Sequence, residues 1–393
     1  MHQQIQSGMG GAPQGKPVFV LGFADLGAGA VDTSTQGSPV TPTFTRATTA
    51  WTKLSTGLWA SVASGTARSV YSGFTTASGS YIGYLAEGAR TNLCIQARDL
   101  TATWTLLNTT AAKDQAGIDG TASSASSLTC SVDGGSCLQT ITEAATLSAL
   151  SLFIKRITGT GTITIQQGAT TSDVTAQVNS STYTRVELDA TVLNPVIGIV
   201  LGTSGDKIAV DMAQFENGAF ASSPIPTTTV SVTRNSDVLT YPTSAWLNET
   251  IGSALVIASD MGVLDATSTL WAVSDGSLNN RVGMGRQAAA SSPGFYRVVS
   301  GGSASVSANG ANNRAANAVH KSAMAWQTND FQSYLDGVAD LTDTSVTVPS
   351  GTTTLYVGTS EAATGANQPF GAIARISYYN TRLSNIALTA VTA

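Results

Sequence analysis

The chain reads as an all-β protein built of sandwich domains, and three observations carry that expectation. Short stretches rich in Val, Ile, Thr, Tyr and Leu alternate in polarity and are separated by Gly, Ser, Asn or Asp turns, for example at residues 161–166, 183–188, 207–212, 254–258, 294–299 and 354–358. Helical periodicity is almost absent. Only 11% of the 393 residues are charged, against roughly a quarter in ordinary soluble proteins. With 42% hydrophobic residues, a sizeable core is available and the surface must be made polar by hydroxyls, amides and glycine. Many short strands with turn signals between them make sandwiches or barrels.

Taken in order, residues 1–17 carry Gly8, Gly10, Gly11, Pro13, Gly15 and Pro17 with few apolar groups. They are expected to form an extended arm that orders by docking on a partner. Residues 18–100 scatter aromatics (Phe19, Phe23, Trp51, Trp59, Tyr84) through Gly/Thr/Ser-rich sequence, a spacing that suits strands laid along a neighbouring sheet. From Leu100 to about Tyr241 the strand–turn pattern is dense, punctuated by Pro224 and Pro226. A second strand-rich block runs from Tyr241 to Ala393, with one helical candidate at residues 383–391. The expected division is an arm and attachment segment at 1–43, a sandwich at 44–240 and a second sandwich at 241–393.

Composition excludes several classes. The net charge is −5 and no basic cluster is present, so nucleic acid is not an expected partner. No run approaches the ~18 apolar residues of a membrane-spanning helix. Residues 1–6 lack the basic and apolar regions of a secretory signal. Cys130 and Cys137 bracket an Asp-Gly-Gly turn, where either a disulfide across the hairpin or two free thiols is compatible with the spacing. With two histidines in the chain, both remote from these cysteines, a zinc site is not expected.

Two segments carry a family resemblance. Residues 84–93 (YLAEGARTNL), followed by Trp104, resemble the opening of a jelly-roll found in phage head-fibre and tail-fibre proteins. Residues 213–227 (AQFENGAFASSPIPT) and 232–239 (VTRNSDVL) resemble its closing strand, and residues 43–48 (TFTRAT) belong to the same pattern. Residues 322–337 and 371–385 resemble the strands and exit of a concanavalin-like or laminin-G-like sandwich. The fold so implied is a jelly-roll β-sandwich plus a second concanavalin/laminin-G-like β-sandwich, with an extended N-terminal arm. The function implied is a virion-surface structural protein: a head spike, head fibre or capsid-decoration protein, or alternatively a tail-fibre receptor-binding adhesin. Both modules are of a carbohydrate-binding kind, which makes host-surface polysaccharide a candidate partner beside other virion proteins.

Catalytic constellations are missing from the sequence. There is no Gly-x-Ser-x-Gly, His-Glu-x-x-His or complete Gly-x-Gly-x-x-Gly. The fragments at Gly8/Gly10, Gly27/Gly29 and Gly283/Gly285 read as turns or loops, and His320 as a surface residue. A polysaccharide depolymerase is the third reading, and the Asp pairs that would serve it are ordinary turn residues. Asp260, Asp265 and Asp275, with Asn279, are oxygen donors of the kind calcium takes, without a diagnostic spacing. Trp271, Tyr296, Tyr378 and Tyr379 are the candidates for stacking on a sugar. Tyr378 and Tyr379 must face opposite ways on a strand. Glu87, Arg90 and Asn92, in so uncharged a chain, are expected to tie a loop through charge-assisted bonds. Low charge and Ser/Thr/Gly-rich strands suit edge-to-edge packing, with a homotrimer as the expected assembly.

Overall fold

The computed structural model describes residues 16–23, 40–71, 81–260, 267–288, 293–315, 318–361 and 367–393. The expected arm at residues 1–15 lies outside them. What it describes is almost wholly antiparallel β-structure with one helix, arranged as two sandwiches.

The jelly-roll occupies the middle of the chain. One five-stranded sheet contains Thr184–Val192, Thr146–Thr158, Lys207–Asn217, Ala125–Cys130 and Thr109–Gln115 in spatial order; the other contains Thr170–Asp173, Ile163–Gln167, Val196–Leu201, Gly135–Thr140 and Thr105–Leu107. Their strands alternate as sequence periodicity demands, so Ile163, Ile165, Ile197, Ile199 and Leu201 from one sheet meet Leu150, Leu152, Ile154, Ile208 and Val210 from the other in one buried core.

The second sandwich draws strands from both ends of the chain. Its larger sheet has Gly371–Tyr379 near one side, bonded to Gly252–Asp260 on one edge and to Phe19–Gly22 and Tyr81–Ala86 on the other. Its seven-stranded partner begins with Thr43–Thr45 against Val238–Pro242 and ends at Ser303–Asn313. Phe19, Leu21, Tyr84, Trp271, Tyr296, Trp326, Ile376 and Tyr378 fill the space between the two sheets. These pairings cut across the expected boundaries at residues 44 and 241. Segments 18–23, 43–45, 69–71 and 81–86 complete the sheets of the C-terminal block, as the scattered aromatics suggested, and the jelly-roll is an insertion between Ala86 and Val238.

A hairpin clips the two together. Ala50–Lys53 and Trp59–Val62 pair with each other only and press Trp51 and Trp59 against Ile118, Phe153 and Met212 of the jelly-roll. The Trp59 N–H donates to the Ile118 carbonyl at 3.0 Å, and Arg98 stacks over the Trp51 ring at 5.5 Å. At the far end, the helix Asn385–Thr392 starts where the Ser384 hydroxyl accepts from the Ala387 N–H. It lays Ala387 and Leu388 on the outer face of the larger sheet over Leu255, Ala323, Ala325 and Tyr334.

Candidate functional site: a buried ionic neck

The chain leaves the second sandwich after Ala86 and returns to it before Val238, and the charged residues of the signature meet at this neck. Glu87 follows the strand Tyr81–Ala86, Arg234 ends the strand Val232–Arg234, and Asp237 precedes Val238–Pro242. Arg46 arrives from the turn after Thr43–Thr45, and Arg68 from the residue before Ser69–Tyr71. Arg46, Arg68, Glu87 and Asp237 have fully buried side chains, and Arg234 is 1% exposed. Arg46 Nη1 donates to Asp237 Oδ1 at 2.8 Å, and Arg68 donates to both Asp237 and Glu87. Arg234 reaches Glu87 as well. The Ser223 hydroxyl donates to Glu87 Oε2 at 2.6 Å and accepts from Arg68 and Arg234, while its N–H donates to Glu87 Oε1 at 2.8 Å.

Burying these charges is tolerable only because each has a partner. Burial by itself raises the Glu87 pKa, but Arg234, Arg68 and the Ser223 donors outweigh it and hold the carboxyl at about 2. For Arg68, desolvation disfavours the cation, and Asp237 and Glu87 overcome it, so its pKa lies above the ordinary arginine value. Desolvation prevails at Arg234, whose pKa is lowered despite Glu87, with Arg68 adding repulsion. Glu216, also buried, accepts from the Ser222 N–H and hydroxyl, and desolvation raises its pKa.

The jelly-roll side of the neck is fixed by the rest of the signature. Asn92 is fully buried. Its amide nitrogen donates to the Ala213 and Ile225 carbonyls at 3.0 and 2.8 Å. Its oxygen accepts from the Phe215 and Cys94 N–H groups at 2.9 and 3.0 Å. Arg90 lies over both the Phe220 and Phe370 rings, at 5.2 and 4.8 Å, linking the two sandwiches through their aromatics. Glu87 and Asn92 thus do what the sequence suggested of them, tying chain to chain. No motif of the sequence marks Arg46, Arg68, Ser223, Arg234 or Asp237 individually. The available signal was the recurrence of arginine and acid inside the signature segments of a chain with only 19 Lys and Arg. Every acceptor of Glu87 is occupied by protein donors, so this cluster holds segments together and presents no base or nucleophile.

Other expected site residues fall elsewhere. Trp271, Tyr296 and Tyr378 are 0% exposed, packed between the sheets of the second sandwich, and offer no face to a sugar. Tyr296 donates its hydroxyl to Asp340 at 2.6 Å, and that of Tyr378 donates to the Asn248 carbonyl at 3.0 Å. Tyr379 does face the opposite way, but it packs against the cluster beneath the helix. Asp275 accepts from the Ser277 N–H and hydroxyl and from Asn280, an Asx turn whose donors lower its pKa. Asp260 ends a strand and Asp265 lies outside the described residues. Among the described residues no three His, Cys, Asp or Glu side chains gather as a metal would need.

Cys130 and Cys137 are free and buried. They sit in opposite jelly-roll sheets, and the Cys130 thiol points to the Val132 carbonyl at 2.9 Å. The turn between them joins the two sheets instead of closing a hairpin. Burial pushes the Cys137 thiol up to about 12 and, with Cys137 beside it, raises that of Cys94 further. His320 is 7% exposed, with Nδ1 2.6 Å from Asp336 Oδ2 and Nε2 2.9 Å from the Ala315 carbonyl, not a surface group. Gly283 and Gly285 belong to the strand Arg281–Arg286, where a Cβ on Gly285 would lie 1.7 Å from the Ser268 carbonyl oxygen. Close strand approach, and not a turn, requires glycine there.

No protein-family model matches the chain, and no curated protein does. Similar solved structures include the CBM40 module of the Ruminococcus gnavus IT-sialidase bound to alpha2,3 sialyllactose, at 17% identity and a TM-score of 0.33 over 37% of this chain and 83% of that one. Domain 4 of AbnA, a GH43 extracellular arabinanase from Geobacillus stearothermophilus, in complex with arabinotriose, is similar at 11% identity and a TM-score of 0.33 over 45% and 84%. The tandem CBM22 domains of Paenibacillus barcinonensis Xyn10C give 8% identity and a TM-score of 0.23 over 78% and 100%. Scores and identities this low leave function to be read from this chain's own geometry.

Proposed function

We propose that the protein is a non-catalytic structural protein of a bacteriophage surface, a head spike, fibre or capsid-decoration subunit that displays its jelly-roll from the second sandwich. The observation that supports this reading is the neck. The segments at 43–48, 84–93, 213–227 and 232–239 that resemble phage fibre proteins are the ones whose side chains meet there. The resemblance is therefore carried by residues with one shared structural task, holding an inserted module rigidly. A display protein needs that rigidity. A catalyst would need exposed groups at the same place, and Glu87 has none of its acceptors left over. Assembly as a trimer, attachment through residues 1–17 and contact with host polysaccharide belong to the same proposal.

Immunogold labelling of virions with antibody to this chain tests it directly. Label on the head at tens to hundreds of copies per particle is the expected result. Label confined to the tail tip would favour the adhesin, and particles without label would remove the virion role.

A further inference from the structure

A second feature of the neck goes beyond display. Against it lies a partly enclosed cavity of about 200 Å³, walled by Trp51 of the clipping hairpin, Pro224 and Pro226 of the return segment, Thr49 and Thr233, and closed by Arg234. That volume is below the roughly 300–1,000 Å³ of pockets for drug-sized ligands, so it admits one ring and not a chain. Its lining is of two kinds. The part of the indole left uncovered, 8% of Trp51, and the half-buried Pro226 ring beside buried Pro224 are the apolar surfaces against which the C–H face of a ring can lie. The Thr49 hydroxyl offers a donor and acceptors, and that of Thr233, paired with the Thr91 hydroxyl at 2.8 Å, keeps capacity for a further bond.

The charge behind the wall is unbalanced. Among the described residues the cluster sets three guanidinium groups, Arg46, Arg68 and Arg234, against two carboxylates, Glu87 and Asp237. The next acid, Glu216, is engaged by Ser222 and lies among Arg90 and Arg185 as well as Arg234. The buried Nε atoms of Arg68 and Arg234 have no hydrogen-bond partner. An excess cation in a low-dielectric setting makes the adjoining cavity favourable for a negative charge. A lowered pKa at Arg234 is the response expected of a cation without enough compensation.

We propose that this cavity binds a single acidic sugar ring, a pyranose bearing a carboxylate, with its apolar face on Trp51 and the prolines and its carboxylate toward Arg234. Other cavities are less suited: the larger groove of about 500 Å³ beside Thr103, Thr105 and Gln139 is more open, and no charged side chain lines it.

The test uses the full chain and follows the Trp51 indole N–H by NMR, assigned with Trp51→Phe, during titration with glucuronate, glucose or acetate. Saturable shifts with glucuronate, at least about tenfold weaker binding of glucose, and loss of the response in Thr49→Trp, whose added ring occupies the cavity, are expected. A circular dichroism melt unchanged from wild type shows that Thr49→Trp still folds; if it does not, Thr233→Phe serves the same purpose. An equal response to glucose would remove the role of charge, and acetate reproducing the shifts would reduce the site to an ion site. No saturable response to glucuronate, or an undiminished one in the filled variants, would overturn the proposal. None of these outcomes depends on whether the chain sits on a virion.

Discussion

Asp237 accepts from two arginines that reach it from different turns, Arg46 and Arg68, and shielding by solvent is absent because all three side chains are fully buried. Removing the acid leaves two cations without their partner, so Asp237→Ala is expected to cost about 3–5 kcal/mol in denaturant unfolding. Asp173→Ala, at an exposed turn where the carboxylate serves Thr175, should cost much less. The same cluster sets a pH dependence. The Glu87 pKa is depressed from 4.5 to about 2 in the folded protein, so its contribution to stability is complete above about 4.5 and is lost as pH falls toward 2. Glu87→Gln should therefore be less stable than wild type at neutral pH, and the gap should narrow across that acidic window. A constant gap from pH 6 to pH 2 would contradict the assignment. Sequence reading reached Glu87 and Asn92 because the signature is dense there. It did not reach Arg68, which stands 19 residues from Glu87 in a segment with no motif of its own.

Strands were legible wherever one face alternates with the other, as in the jelly-roll sheets, and so was the C-terminal helix. Which aromatics are exposed was not. Both faces of the second sandwich's larger sheet are covered, one by the opposing sheet and the other by the helix over Ala323 and Ala325. Alternation then no longer separates core from surface, and Tyr378 and Tyr379 face opposite ways into two packed layers. Trp271→Ala is accordingly expected to lose about 3–5 kcal/mol as a core truncation, measured by thermal or denaturant melts. The joining strand Tyr81–Ala86 depends on a backbone detail that composition cannot reveal. Gly83 adopts φ +150°, and a Cβ there would lie 2.2 Å from the Ile373 carbonyl oxygen across the strand pair. Gly83→Ala should cost more than Gly57→Ala, which also has positive φ but open space around it. Equal melting temperatures for the two variants would count against so close a pairing.

At the scale of the molecule, the division into arm, jelly-roll and second sandwich follows the order of the sequence, whereas the sheets are assembled across it. Pairings such as Phe19 with Tyr378 and Leu239 with Phe44 join residues nearly the whole chain and about half the chain apart, and local patterns carry no record of such partners. A fragment of residues 241–393 lacks the strands Phe19–Gly22, Thr43–Thr45, Ser69–Tyr71 and Tyr81–Ala86 and the first three residues of Val238–Pro242. It should not show a cooperative melt, whereas residues 88–230 contain both jelly-roll sheets entire and should fold. The neck is what makes insertion and host one body, and calorimetry of the full chain beside Asp237→Ala tests that most directly. The account predicts a single cooperative transition for the wild type, which separates into two when Asp237 is removed, the jelly-roll melting apart from the second sandwich. Two independent transitions already present in the wild type would contradict it.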